Sequence, residues 1–226
     1  MNIALIQIFP ILIVLSGYSQ NALQVGATMI TPQFINISTG ANMDLQAIVP
    51  TGDNTSDNVQ IQTLDAFGRT VASYDWNDWN YDHACWVDGD LAEVEGVSFA
   101  PGQGLWVVGS ATTQGIQSAG EVGSSDISVS LRVGATGTGN PFPVAVDLQD
   151  ILAEGEDTSD NVQIQTLDAF GRTVDSYDWN DWNYDHACWV DGDLTEVTSV
   201  SILPGQGLWV VGSSTAQSIR FPAPTL

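Results

Sequence analysis

Lysine is absent, and arginine occurs only at Arg69, Arg132, Arg172 and Arg220, against 27 acidic residues, for a formal net charge of −23. A field of that sign repels nucleic acid and anionic membrane surfaces and draws cations, which excludes a nucleic-acid partner. Histidine is as scarce, with His83 and His186 alone, and no G-x-S-x-G or H-E-x-x-H element occurs. Without a marked nucleophile, base or metalloprotease helix, the chain reads as non-enzymatic. A glycosidase would need two acids set across a cleft, and nothing in the pattern singles out such a pair. Cysteine is limited to Cys85 and Cys188. Side-by-side modules do not normally bring two Cα atoms within the roughly 7 Å a disulfide needs, so buried free thiols beside Trp86 and Trp189 are expected. No window carries an amphipathic-helix period.

The one long apolar run is Met1–Leu15, followed by Gly17 and Ser19 at the small-residue positions of a signal-peptidase site. Residues 1–19 read as a signal peptide or hydrophobic anchor, although the run has no basic residue ahead of it and contains Pro10. If the segment is cleaved, the mature chain has no transmembrane span.

A direct duplication organises the rest. Thr55–Leu91 and Thr158–Leu194 agree at 36 of 37 positions, differing only at Ala72 against Asp175, and GQGLWVVGS recurs at Gly102–Ser110 and Gly205–Ser213. Upstream, Leu23–Thr28 returns as Leu131–Thr136, and MDLQAI at Met43–Ile48 returns as VDLQDI at Val146–Ile151. The change of offset between these matches places a five-residue insertion at Ile35–Asn42, as surface loops permit. The copies run from 20 to 123 and from 124 to 226. Within each, the apolar period is two: Val59 and Ile61 alternate with Gln60 and Gln62. Leu105–Val108, after the turn Pro101–Gly104, reads as a strand buried on both faces. The expected fold is all-β, two tandem antiparallel β-sandwich or barrel-like modules. At least one glycine of each GQG turn should take a positive φ.

The string Gly139-Asn140-Pro141-Phe142-Pro143, then Asp147-Leu148, then Pro204-Gly205-Gln206-Gly207-Leu208-Trp209-Val210 resembles the "GWNLIGNPYP … PGQGFFV" module of secreted and surface proteins in environmental Gram-negative bacteria. The resemblance covers copy two; copy one has Thr31-Pro32-Gln33-Phe34 where the first element should stand. It implies a β-rich fold and export to a bacterial cell surface or beyond, and brings no catalytic residues with it.

Candidate chemistry concentrates in Tyr74–Trp86 and its repeat Tyr177–Trp189. Trp76, Trp79 and Tyr81, with Trp179, Trp182 and Tyr184, would stack on sugar rings if exposed as a platform, or fill and shield the core. Asp78, Asn80 and Asp82, with Asp181, Asn183 and Asp185, have the D-x-N-x-D spacing of a calcium loop, lacking its glycine at position six and glutamate at position twelve; Asx-rich turns produce the same string. His83, Cys85, His186 and Cys188 would form a zinc set only if the two copies met at that point, and H-x-C is a poor chelating spacing. Two functional readings follow. The first is a secreted β-module pair acting as a cell-surface or extracellular-matrix interaction and structural protein, with glycans or other surface proteins as partners. The alternative is a calcium-assisted carbohydrate-binding protein, with Ca2+ as its cofactor.

Overall fold

The structure, a computed structural model, describes residues 16–22, 26–30, 42–65, 68–78, 83–111, 114–168, 171–181 and 186–224. Apart from two three-residue 3-10 turns, Leu45–Ala47 and Leu148–Asp150, every regular element among them is a strand. The first half contains β1 (Ser16–Ala22), β2 (Gly26–Ile30), β3 (Met43–Asp44), β4 (Ile48–Thr51), β5 (Val59–Leu64), β6 (Thr70–Asn77), β7 (Cys85–Val87), β8 (Ser98–Phe99), β9 (Leu105–Gly109) and β10 (Gly115–Glu121). The second contains β11 (Ile127–Ser130), β12 (Gly134–Gly139), β13 (Val146–Asp147), β14 (Leu152–Glu154), β15 (Val162–Leu167), β16 (Thr173–Asn180), β17 (Cys188–Val190), β18 (Ser201–Ile202), β19 (Gly207–Gly212) and β20 (Ser218–Phe221).

Every strand-to-strand pairing among the described residues is antiparallel, and the two halves share one strand order. Five-stranded sheets β2-β9-β5-β6-β7 and β12-β19-β15-β16-β17 are accompanied by three-stranded sheets β1-β10-β4 and β11-β20-β14 and by the pairs β3-β8 and β13-β18. Among the described residues no sheet mixes strands from the two halves, and a single isolated antiparallel bridge, Ile30 with Gln206, joins them. β1 runs across the expected leader boundary at Ser19, pairing Ser16 with Glu121 and Ala22 with Gly115.

The period of two explains the sheets. Val59 and Ile61 of β5 and Leu105 and Val107 of β9 are fully buried, packing with Trp76, Trp86 and Phe99; the second core repeats this with Val162, Ile164, Leu208, Val210, Trp179 and Trp189. The intervening glutamines build a polar ladder on the other face. Gln60 donates to Asp75 Oδ1 at 2.8 Å, Gln62 donates to Gln60, and Thr70 Oγ1 donates to Gln62 Oε1 at 2.9 Å. Such cross-strand pairs contribute roughly 0.2–1 kcal/mol each. In the second half, Asn140 is buried and donates to the carbonyls of Val144 and Ile202 at 2.7 and 2.9 Å, while its Oδ1 accepts from the backbone N–H of Phe142, which is fully buried. The first glycine of each GQG turn has the expected positive φ, +82° at Gly102 and +66° at Gly205.

β9 departs from the expected burial. Only Leu105, Val107 and Gly109 are buried, and Trp106 and Val108 are half-exposed on the opposite face. This face lies outside the core of its own half and is covered only in part, at Trp106, by the other half of the chain. Trp106 and Trp209 lie edge to face, with centroids 6.4 Å apart and planes at 67°. Each covers a glycine of the other half: a Cβ on Gly68 would come within 2.7 Å of Trp209, and one on Gly171 would overlap Trp106. The contacts are reciprocal elsewhere too. Gly104 sits on the backbone of Gly137 and donates to its carbonyl at 3.1 Å, while Gly207 sits on the backbone of Met29. Paired contacts of this kind define a local twofold relation between the halves, as in an isologous dimer interface.

Candidate functional site

β7 and its twin β17 form the outer edge of each five-stranded sheet, at the opposite end from β2 and β12. An exposed strand edge invites foreign pairing, and here a side chain covers it. Asp44 Oδ1 caps the short 3-10 turn by accepting from Gln46 N at 2.9 Å. Gln46 is thereby placed to accept from Trp86 N at 3.0 Å and to donate to the carbonyls of Trp86 and Val94 at 3.2 and 2.8 Å. Asp147 and Gln149 repeat the arrangement on Trp189 and Val197. The buried Trp86 is also held by its indole, which donates to Ile48 O at 2.7 Å.

Beyond β7 the chain turns back at once. Asp88 Oδ1 accepts from the backbone N–H of Asp90 and Ala92 at 2.9 and 3.0 Å, Leu91 adopts φ +62°, and Val87 pairs with Glu93. This hairpin brings Glu93 beside Cys85 and His83. His83 Nε2 and Glu93 Oε2 are 3.0 Å apart, and the cysteine sulfur, an imidazole nitrogen and a carboxylate oxygen all lie within 4.8 Å of one another. His186, Cys188 and Glu196 do the same in the second half. The two cysteines are free and buried, as expected, and each gathers with the histidine and glutamate of its own half rather than across the twofold. Burial, and secondarily the neighbouring Glu93, raises the Cys85 thiol above its ordinary pKa; Cys188 is raised by burial and Glu196. An activated nucleophile requires the opposite direction.

Of the expected aromatic platform, Trp76 and Trp179 are core residues, 6% and 3% exposed. They sit edge to face against Trp86 and Trp189, at 5.3 and 5.1 Å, because the register pairs Trp76 with Trp86 and Trp179 with Trp189 across the sheet edge. Neither presents a face to a ligand. Trp79, Tyr81, Trp182 and Tyr184 lie outside the described residues, as do Asn80, Asp82, Asn183 and Asp185 of the calcium spacing.

Asp78 and Asp181 are described and have local duties. Asp78 Oδ2 accepts from Thr55 Oγ1 at 3.0 Å and its N–H donates to Ser56 Oγ at 3.0 Å; Asp181 makes the same bonds to Thr158 at 2.7 Å and Ser159 at 3.1 Å. They fasten the turns that lead into β5 and β15, and each lines a shallow polar depression, of about 600 and 420 Å³. Ala84, next to His83, is also in the wall of the first. The side chain that sequence reasoning missed is Glu93, ten residues from His83; the Asp88-Gly89-Asp90 turn was the signal that could have brought it back. Compared with known protein families, with curated proteins and with solved structures, the chain finds no match in any of the three.

Proposed function

We propose that this chain is an exported, non-enzymatic pair of β-modules that works as a bacterial cell-surface or extracellular-matrix interaction and structural protein. The observation that supports this reading most directly is the reciprocal lock of Trp106 over Gly171 and Trp209 over Gly68. It ties two like halves into one body that carries the same hairpin twice, beyond β7 and beyond β17, an arrangement suited to bridging partners by multivalency rather than to turning over a substrate. The alternative, calcium-assisted carbohydrate binding, loses support from the burial of Trp76 and Trp179 and from the engagement of Asp78 and Asp181 with turn hydroxyls.

Fractionation of the producing cells, with protease treatment of intact cells, tests the first reading: the chain is expected in the surface or extracellular fraction, and a cytosolic chain refutes it. A glycan array run with and without calcium addresses the second. Glycan signal that requires calcium and disappears in D78A/D181A would replace the structural reading with the carbohydrate-binding one.

A further inference from the structure

We propose that each half of the chain carries a mononuclear site for a divalent transition-metal ion of the zinc class, with His83, Cys85 and Glu93 as ligands in one half and His186, Cys188 and Glu196 in the other. The donor atoms already converge, all within 4.8 Å of one another in each cluster. With metal–ligand bonds of about 2.0–2.3 Å, a tetrahedral ion holds its donors roughly 3.3–3.8 Å apart, so closure on an ion takes shifts of about 1 Å or less. The groups that must shift are free to do so. The His83 and Glu93 side chains are 62% and 42% exposed, whereas Cys85 is buried at the start of β7 and anchors the set.

Donor chemistry selects the ion. A thiolate with an imidazole and one carboxylate is a borderline-soft set that suits zinc and disfavours calcium and magnesium, which prefer oxygen shells. Two anionic donors neutralise a dication, and the cluster lies in a chain whose charge of −23 concentrates cations around it. Three protein ligands leave one position open toward the exposed side of the cluster, for water or a donor from a bound partner. The simpler role for the same residues is a surface imidazole–carboxylate pair beside a structural thiol, and the two roles predict different spectra.

The test uses the full chain, reduced and stripped of metal, titrated with Co2+ while the thiolate-to-cobalt charge-transfer absorption is recorded. Two equivalents should bind with that absorption, Zn2+ should displace them stoichiometrically, and Ca2+ in excess should not. H83A/H186A changes exposed side chains and should keep the far-ultraviolet dichroism of the native fold while weakening Co2+ binding by at least about tenfold. E93Q/E196Q should act likewise, and C85S/C188S should abolish the charge-transfer band. Absence of the band at stoichiometric Co2+ overturns the proposal. So does a band with unchanged affinity in both the histidine and the glutamate variants, which would mean that the thiol takes up metal without the cluster.

Discussion

The lock between the halves is open to a direct energetic test, because three glycines share a φ of +72° and differ in what surrounds them: Gly68 and Gly171 face Trp209 and Trp106, while nothing lies within 4 Å of the Cβ position at Gly96. G96A therefore isolates the backbone term. A left-handed alanine costs about 1–2 kcal/mol, offset by roughly 0.4–1 kcal/mol from a stiffer unfolded chain, for a net destabilisation of about 1 kcal/mol. G171A should add overpacking against the Trp106 ring, about 1–3 kcal/mol more. The W106A background removes the obstacle, and there G171A should fall back to the cost of G96A. The double-mutant cycle then returns a coupling of about 1–3 kcal/mol between residues from opposite halves of the chain. Equilibrium urea denaturation followed by far-ultraviolet dichroism measures all four terms without relying on tryptophan emission. If G171A costs no more than G96A, or costs as much with Trp106 removed, the halves do not pack through these residues and the bridging argument loses its base.

Other expectations follow from single contacts. Leu91 and Leu194 are exposed residues held at φ +62° and +59°; L194N should raise stability by about 1 kcal/mol, since asparagine tolerates this region, and an unchanged or lower melting temperature refutes it. Trp189 donates to Ile151 O at 2.7 Å, whereas the buried Nε1 of Trp179 has no partner among the described residues; W189F should therefore cost about 1–3 kcal/mol more than W179F, and equal losses would count against the bond. The carboxyl of Asp126 is held below its ordinary pKa first by the backbone N–H of Ala223 and then by Arg220. Its contribution is present above the unfolded value of about 3.9 and is lost as pH falls through the lower folded value, so D126N should flatten the acid limb of a melting-temperature profile. A limb that keeps its slope assigns the acid sensitivity to other carboxylates.

Much of the fold was legible because alternation at Val59, Ile61 and their repeats states which side chains turn inward, and the GQG turn carries its own backbone requirement. What alternation cannot state is what the second face meets. Trp106 reads as apolar in either case, and only the pairing of Gly104 with Gly137 and of Gly207 with Met29 reveals that its partner is the other half of the chain. The site was legible in part for a similar reason. His83 and Cys85 are neighbours in sequence, but Glu93 arrives through the Val87–Glu93 pairing, a register that composition does not encode. The aromatic string was ambiguous until the pairing of Trp76 with Trp86 gave it a direction.

The pattern of difference between the halves bears on which of these features acts on something outside the fold. Core positions can differ: Met43 stands against Val146 and Phe99 against Ile202, each buried in its own half, although most core pairs, such as Leu45 with Leu148 and Ile61 with Ile164, are the same. Packing therefore does not demand identity, yet Thr55–Leu91 and Thr158–Leu194 agree even at exposed Val71 and Val174 and at the strained Leu91 and Leu194. Past Leu91 the agreement breaks, with Ala92 against Thr195, Glu95 against Thr198 and Gly96 against Ser199. Between those changes Glu93-Val94 and Glu196-Val197 are retained. The valines have a structural duty, since the side chains of Val94 and Val197 pack against the core of their own half. The glutamates, 42% and 45% exposed, have none of that kind. A carboxylate kept only for solubility could have been exchanged as its neighbour Glu95 was. One that meets the histidine and cysteine at the sheet edge could not be exchanged without dissolving the cluster.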